Sequence, residues 1–437
     1  TYGAQDVIAE QAVAVLCPAI PAFEMDFWRA DQAINLRGVS VDMESIEGAC
    51  KIVSEALDKY NSELPWLTNG AIQKASQVEK IGAWLAGRGV KMASLDADTL
   101  EEVLADSTVS LPDDCRRVLE IRQLAGSASV KKVFTMKLQA TTAGKLHDLF
   151  SYHAARTGRA TGNGPQPQNL PSAGPDVQAC ACKRHYGLYL KSCPWCGLPV
   201  SMAKREEWSP DAAADAISML KYGRLDTFES FFGHESLPTI GGCLRGMFVA
   251  EYGYDLLCSD YSAIEAVVLA MISGEQWRID LFRTHGKIYE MSAAKISGIP
   301  FEEFMAHFGY TPAEMAQPEW WTRKPAAIGK HHPLRKKIGK IAELASGYQG
   351  WIGAWKAFGA SDFFTDPEIK DAILAWRAAS PRVVDLWSGL ERAAHSAVST
   401  PGLFAEYNGI GYHMEGDVLF CTLLSGRRIA YHRPRLS

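Results

Sequence analysis

The stretch that most constrains this chain is "LLCSDYSAIEAVVLAMISG", Leu256 to Gly274. An apolar run stops on Asp260, and apolar residues then recur at helical spacing from Ala263 onward. A carboxylate at the end of a buried strand sits where side chains leave a sheet and meet solvent. Asp260 there suits a hard cation such as Mg2+, which takes one or two carboxylates together with phosphate oxygens. The same residues also read as a helix entrance, with Asp, Tyr and Ser before the first turn and Glu265 favouring the helix dipole. Both readings stand on this stretch alone.

At 437 residues the chain is too long for one small core. Its net charge of −5 gives no global basic footprint, although a local basic groove is compatible with it. Of ten cysteines, six are scattered and four cluster at 180–196, which suits a reducing cytoplasm and one metal site, not a disulfide scaffold. The first residues carry acids and no Lys or Arg, unlike a signal peptide. No apolar run approaches the ~18 residues of a membrane span, so no membrane partner is expected.

Residues 40–135 read as helical, with Thr68–Asn69 expected to open a helix. Residues 149–175 are rich in Gly, Pro, Asn and Gln and read as turns after a short strand. "SPDAAADAISMLKYG" reads as a helix beginning at Ser-Pro-Asp. "LRGMFVAEYGYDLLCSDYS" reads as two strands around a Glu-Tyr-Gly-Tyr turn, 275–400 is again helical, and 401–437 returns to short alternating segments. The fold class is α+β.

Three further clusters carry chemistry. In "WTRKPAAIGKHHPLRKKIGKIAELASGYQG", four-residue steps put Lys336, Lys340, Leu344 and Tyr348 on one slowly drifting helix face. Two ammonium groups, an apolar side chain and an aromatic ring suit a nucleoside triphosphate; a solvated basic face is the plainer reading. "ARTGRATGNGPQPQNLPS" combines Arg156 and Arg159 with Gln168 and Asn169, whose donors can meet minor-groove acceptors shared by all base pairs. Lys131 and Lys132 could contact phosphates or simply line a solvated helix. Cys180, Cys182, Cys193 and Cys196 in "CACKRHYGLYLKSCPWC" can close a tetrahedral, structural Zn2+ site, against free thiols or a redox pair. His185 is a weaker substitute ligand.

In order along the chain, these segments resemble the family A DNA polymerases, in particular the bacteriophage branch. "TGRATGNGPQPQNLP" resembles the family's Thr-Gly-Arg…Gln-Asn-x-Pro segment, and "LRGMFVAEYGYDLLCSDYSAIEAVVLAMISGE" its motif A. "KKIGKIAELASGYQG" resembles motif B in its phage form, and "LSGRRIAY" a phage-branch element. The resemblance implies a right-hand polymerase fold, with helical thumb, palm sheet and helical fingers, plus a small zinc-ribbon-like insertion. It implies the end of a 3′–5′ exonuclease domain at 1–20, thumb and approach to the palm at 21–148, and palm with motif A at 149–171 and 241–272. The insertion with its cysteines and a helix would be 172–240, the fingers 273–400, and the start of the return to the palm 401–437.

It further implies primer-template DNA and dNTPs as partners. Asp260 and the Tyr261 carbonyl would hold two Mg2+ ions, Lys340 would contact the triphosphate, and Glu265 would exclude a 2′-hydroxyl. Ala263, Ile264, Tyr289, Lys336, Leu344 and Tyr348 would complete the nucleotide site. Arg159, Gln168, Asn169 and Arg245, with Lys131 and Lys132, would hold the duplex. Ala263 stands for a usual Gln, Leu344 for a common Phe or Tyr, Lys336 for a common Arg, and Tyr289 for a common His. The family's motif C, a His-Asp pair after motif B, is not found. The chain is therefore expected to lack most of the exonuclease domain and the later palm, to be weakly active alone, and to rely on a segment or separate chain carrying motif C. The rival readings are a zinc-containing duplex-binding protein without catalysis and a nuclease built around Asp260.

Overall fold

The helix Met43–Leu67 organises the first half of the chain. It starts because Asp42, in extended conformation, accepts a hydrogen bond from the Ser45 N–H (3.2 Å) and satisfies an orphan donor of the first turn. Its apolar residues recur every three or four positions, and Ile46, Ile52, Val53 and Leu64 are fully buried. Gly48 admits a second helix, Pro210–Leu220, so closely that a Cβ would lie 1.8 Å from the Leu220 carbonyl oxygen. That second helix begins as its sequence suggests, with Ser209 accepting from Ala212 N–H and Pro210 in the first turn.

The first helix closes at Thr68, whose hydroxyl donates to the Leu64 carbonyl (2.6 Å) and accepts from Ile72 N–H (3.0 Å). Thr68–Asn69 thus ends one helix and does not open the next, which begins at Val78. The hydroxyl finds its acceptor four residues back before any forward amide is in reach.

The computed structural model describes residues 2–436 apart from 17–19, 93, 97–98, 101–102, 105–108, 127, 156 and 172. Arg156 therefore lies outside the described residues. The chain divides into two units, residues 1–257 and 258–437. Among the described residues no helix is long and apolar enough to cross a membrane.

In the first unit, helices Asp113–Gly126, Ala128–Gln139, Leu225–Phe232 and Ser236–Cys243 contribute to one core around Met43–Leu67. Its strands are short. β1 (Val39–Ser40) pairs with β2 (Lys145–Leu146), and β3 (Phe150–Ser151) with β4 (Thr161–Gly162). In the insertion β5 (Val177–Cys180) is the centre of a three-stranded antiparallel sheet, flanked by β6 (His185–Gly187) and β7 (Ala203–Glu206).

The two strands expected around the Glu251–Tyr254 turn do not form. Leu244–Met247 is a 3-10 turn, Phe248 makes a single antiparallel bridge with Val41, and residues 254–261 belong to no helix or strand. The apolar run is there, yet Leu257 is 95% exposed: no neighbouring strand covers it among the described residues.

The second unit is helical from Ile264 to Ser399 and ends in a meander. β8 (Ala405–Tyr407), β9 (Ile410–Glu415), β10 (Val418–Thr422) and β11 (Arg428–His432) pair antiparallel in chain order. Gly389 of the helix Pro381–Ser399 makes room for the Tyr407 ring.

Candidate functional site

In the second unit, Asp260 and Tyr261 lie exposed in an irregular segment ahead of the helix Ile264–Ser273. Asp260 does not cap that helix. The residue before the first turn is Ala263, left-handed at φ 50°, and no side chain accepts the first-turn amides there. A non-glycine residue in this region costs backbone energy that a plain helix entrance would not need. Ile264 and Glu265 follow on the exposed side of the first turn.

The basic segment winds as a π-helix over Arg335–Lys340 and as an α-helix over Ile341–Ser346. π-turns are rare and gather at functional sites. Ile338 and Gly339 face inward, and a Cβ on Gly339 would sit 1.9 Å from the Tyr289 carbonyl oxygen. Lys336, Lys340 and Tyr348 are exposed and Leu344 is half-buried, so the four stay on the outer side despite the wider winding.

Beneath them lies a group that the sequence did not single out. Glu343, buried, accepts from Arg278 Nη1 (2.7 Å) and Nη2 (3.0 Å), Ser292 Oγ (2.5 Å) and Trp376 Nε1 (2.8 Å). Arg278 is fully buried, donates also to Ser380 Oγ, and lies between the Trp277 and Trp376 rings. The carboxylate and the guanidinium are thereby satisfied on all sides, which a buried charge pair requires.

Ala263 and Tyr289 line one cleft of about 540 Å³, with Ser262, His285, Lys287, Glu290, His331 and Arg335 among its other walls. Arg335 Nε donates to the buried Glu290 (2.7 Å), and its guanidinium lies over the Tyr289 ring. Burial pushes the Tyr289 hydroxyl above its ordinary value. Burial also holds His285 below the ordinary imidazole value, and its Nδ1 accepts from Lys287 N–H (3.0 Å). Arg335 was visible only as one cation in a run; its buried partner Glu290, 45 residues away, had no local signal.

In the first unit, Pro167–Asn169 forms a 3-10 turn that leaves Gln168 and Asn169 exposed. Lys132 Nζ donates to the Asn169 carbonyl (3.3 Å). Arg245 donates to the carbonyls of Leu170 and Pro171 (2.8–3.1 Å), so it fastens this loop. Lys131 is exposed on the helix Ala128–Gln139, and Arg159 is exposed in the segment between β3 and β4.

The four cysteines converge. Cys180 and Cys196 Sγ are 3.6 Å apart, Cys182 and Cys193 Sγ 3.8 Å, and all four lie within 4.8 Å of one another. Zn–S bonds of ~2.3 Å in a tetrahedron place sulfurs about 3.8 Å apart, so the donor set fits zinc. Amides of Cys182, Arg184, Trp195 and Cys196 hydrogen-bond the sulfurs. The Cys182 amide draws the Cys180 thiol down to about 7, while burial pushes Cys193 up to about 12. His185 stands outside the set, held by Asp215 through its ring (2.9 Å) and its N–H (2.8 Å). Among the described residues, this is where three or more metal-capable side chains gather; no such group surrounds Asp260.

No protein-family model matches the chain. Its fold matches a polymerase domain: the POL domain of Pol1 from M. smegmatis, in a complex with DNA primer-template and dNTP, at a TM-score of 0.52 and 14% identity, over 90% of this chain and 50% of that one. By sequence, the whole chain is 30% identical over 439 residues to the DNA polymerase of Bacillus phage SP02, and spans 58% of that relative's length. A stretch of 82 residues is 36% identical to DNA polymerase I of Pseudomonas aeruginosa, covering 18% of this chain and 9% of that one. The chain is thus similar over its whole length to a phage DNA polymerase, of which it spans 58%, and shares the fold of a polymerase domain.

Proposed function

We propose that the chain carries the nucleotide-adding part of a phage DNA polymerase, extending a primer 3′ end on a template. The observation that supports this most is the likeness to a phage DNA polymerase along the whole chain, with motif-like segments in family order. That likeness does not favour a duplex-binding protein without catalysis. In this reading the helices of 21–148 are the thumb, 149–171 and 241–272 belong to the palm, and 273–400 are the fingers.

Mg2+ held at Asp260 and the Tyr261 carbonyl would lower the pKa of the primer hydroxyl and offset the triphosphate charge. Lys340 and Lys336 bind the phosphates as point charges, Lys340 placed to give a proton to the departing pyrophosphate. Leu344 and Tyr348 meet the sugar and base, Tyr289 and Ala263 wall the neighbouring cleft, and Ile264 and Glu265 stand under the sugar. Glu265 rejects a 2′-hydroxyl by a clash. Gln168, Asn169 and Arg159 hold the duplex minor groove, with Lys131 and Lys132 on phosphates and Arg245 bracing the loop. The four cysteines hold a structural zinc. With Asp260 as the one assigned carboxylate, metal affinity is low, and a segment or separate chain carrying motif C completes the site.

The test is primer extension with Mg2+ and all four dNTPs, wild type against Asp260→Ala. Slow extension lost in the variant, with primer-template binding kept, is the expected result. Extension that survives Asp260→Ala overturns the assignment.

A further inference from the structure

We propose that the cysteine insertion, residues 177–207, is a phosphate-contacting surface for the primer-template duplex, carried by Lys183, Lys191 and Lys204. The inference rests on the polymerase reading for the identity of the duplex.

Charge sets the insertion apart. It holds five Lys and Arg against two Glu, within a chain whose net charge is −5. Its two arginines are occupied: Arg184 Nη1 meets Asp215 (2.7 Å), and Arg205 meets Asp176 (2.7 Å). The three lysines are exposed and have no ion-pair partner among the described residues.

All three sit on the turns and strands that carry the cysteines. Lys204 stands opposite Ala179, next to Cys180 on β5, and Lys183 lies in the β5–β6 turn, its N–H bonded to the Cys180 carbonyl (2.9 Å). Lys191 opens the loop of the Cys193–Cys196 knuckle, its carbonyl accepting from Val200 N–H (2.9 Å). Tyr189, 78% exposed, lies between Lys183 and Lys191 in the chain. Ammonium groups interleaved with an exposed ring are the footprint of a surface that tracks a nucleic-acid backbone.

The insertion is rigidly mounted for that task. The buried Asp215 grips Arg184 and His185, and the Trp195 ring sits edge-on against Phe231 (4.7 Å) of the helical core. In the chain it follows the Gln168–Asn169 loop, which Lys132 and Arg245 hold. A competing role exists for the same lysines. Four thiolates around one Zn2+ carry a net charge of −2, and nearby ammonium groups would offset it.

The two roles separate by measurement on the full chain. Affinity for a labelled primer-template is followed by fluorescence anisotropy across a salt series, with zinc per chain measured by elemental analysis. Wild type is compared with Lys183→Ala/Lys191→Ala/Lys204→Ala. Three lost phosphate contacts should reduce the slope of log affinity against log salt by about 3, and weaken binding roughly tenfold or more near 0.1 M salt. Zinc content should stay at the wild-type level, and the triple Lys→Arg variant should restore the slope. An unchanged slope overturns the inference, whether zinc is kept or is lost with its counter-ions. If the wild type binds no primer-template at any salt, the polymerase reading falls first, a result distinct from binding with unchanged slope.

Discussion

Asp260 and Lys340 are carried by opposite kinds of backbone. The segment 258–261 is exposed and belongs to no helix or strand, and the segment Arg335–Ser346 is seated on buried charge. A cationic helix keeps its geometry from within the second unit, because Glu343 fixes it from below and Glu290 holds Arg335 at its start. The Asp260 segment shows no such footing among the described residues. The proposed phosphate-binding lysines thus stand on a footing that the proposed metal ligand lacks among the described residues.

The sharpest way to break this contrast is to remove the footing of the basic helix. Glu343→Ala strands a buried guanidinium and should cost about 3–5 kcal/mol, read by urea denaturation. A loss below ~1 kcal/mol would show that the helix stands without it. Gly339→Ala pushes a methyl group towards the Tyr289 carbonyl and should cost about 1–3 kcal/mol on the same assay.

A gentler probe is pH. His285 is held below its unfolded value of 6.5 by burial, so the unfolded chain takes up its proton first as pH falls. Stability of the second unit should therefore decline as pH drops below about 6.5, and His285→Gln should flatten that decline. Equal slopes in the two proteins would remove His285 from the account. Asp260→Ala comes last in stability, within about 0.5 kcal/mol because the side chain is exposed, although extension should be lost. A large thermal shift in that variant would mean that the segment is better supported than its exposure suggests.

Much of this was readable from residue order. The helix Met43–Leu67, the start of the next at Pro210 and the convergence of four cysteines all follow from local spacing. The failures share one cause. Thr68 turned back to Leu64, and the run around Leu257 found no neighbour, because a strand or a cap is decided by partners that a local window does not contain. Glu343 was illegible for the same reason: an acid between two alanines and a leucine looks solvated until Arg278 and Trp376 arrive from 65 and 33 residues away.

The pairing of Val177 with Glu206 has a separate consequence. Antiparallel partners sit about 5 Å apart, so the insertion leaves the body of the protein where it returns. Its outer turns can be lengthened without moving this neck, whereas Arg184, His185 and Trp195 must stay to meet Asp215 and Phe231. A segment closed at its neck in this way can change in its outer turns while the scaffold around it stays fixed.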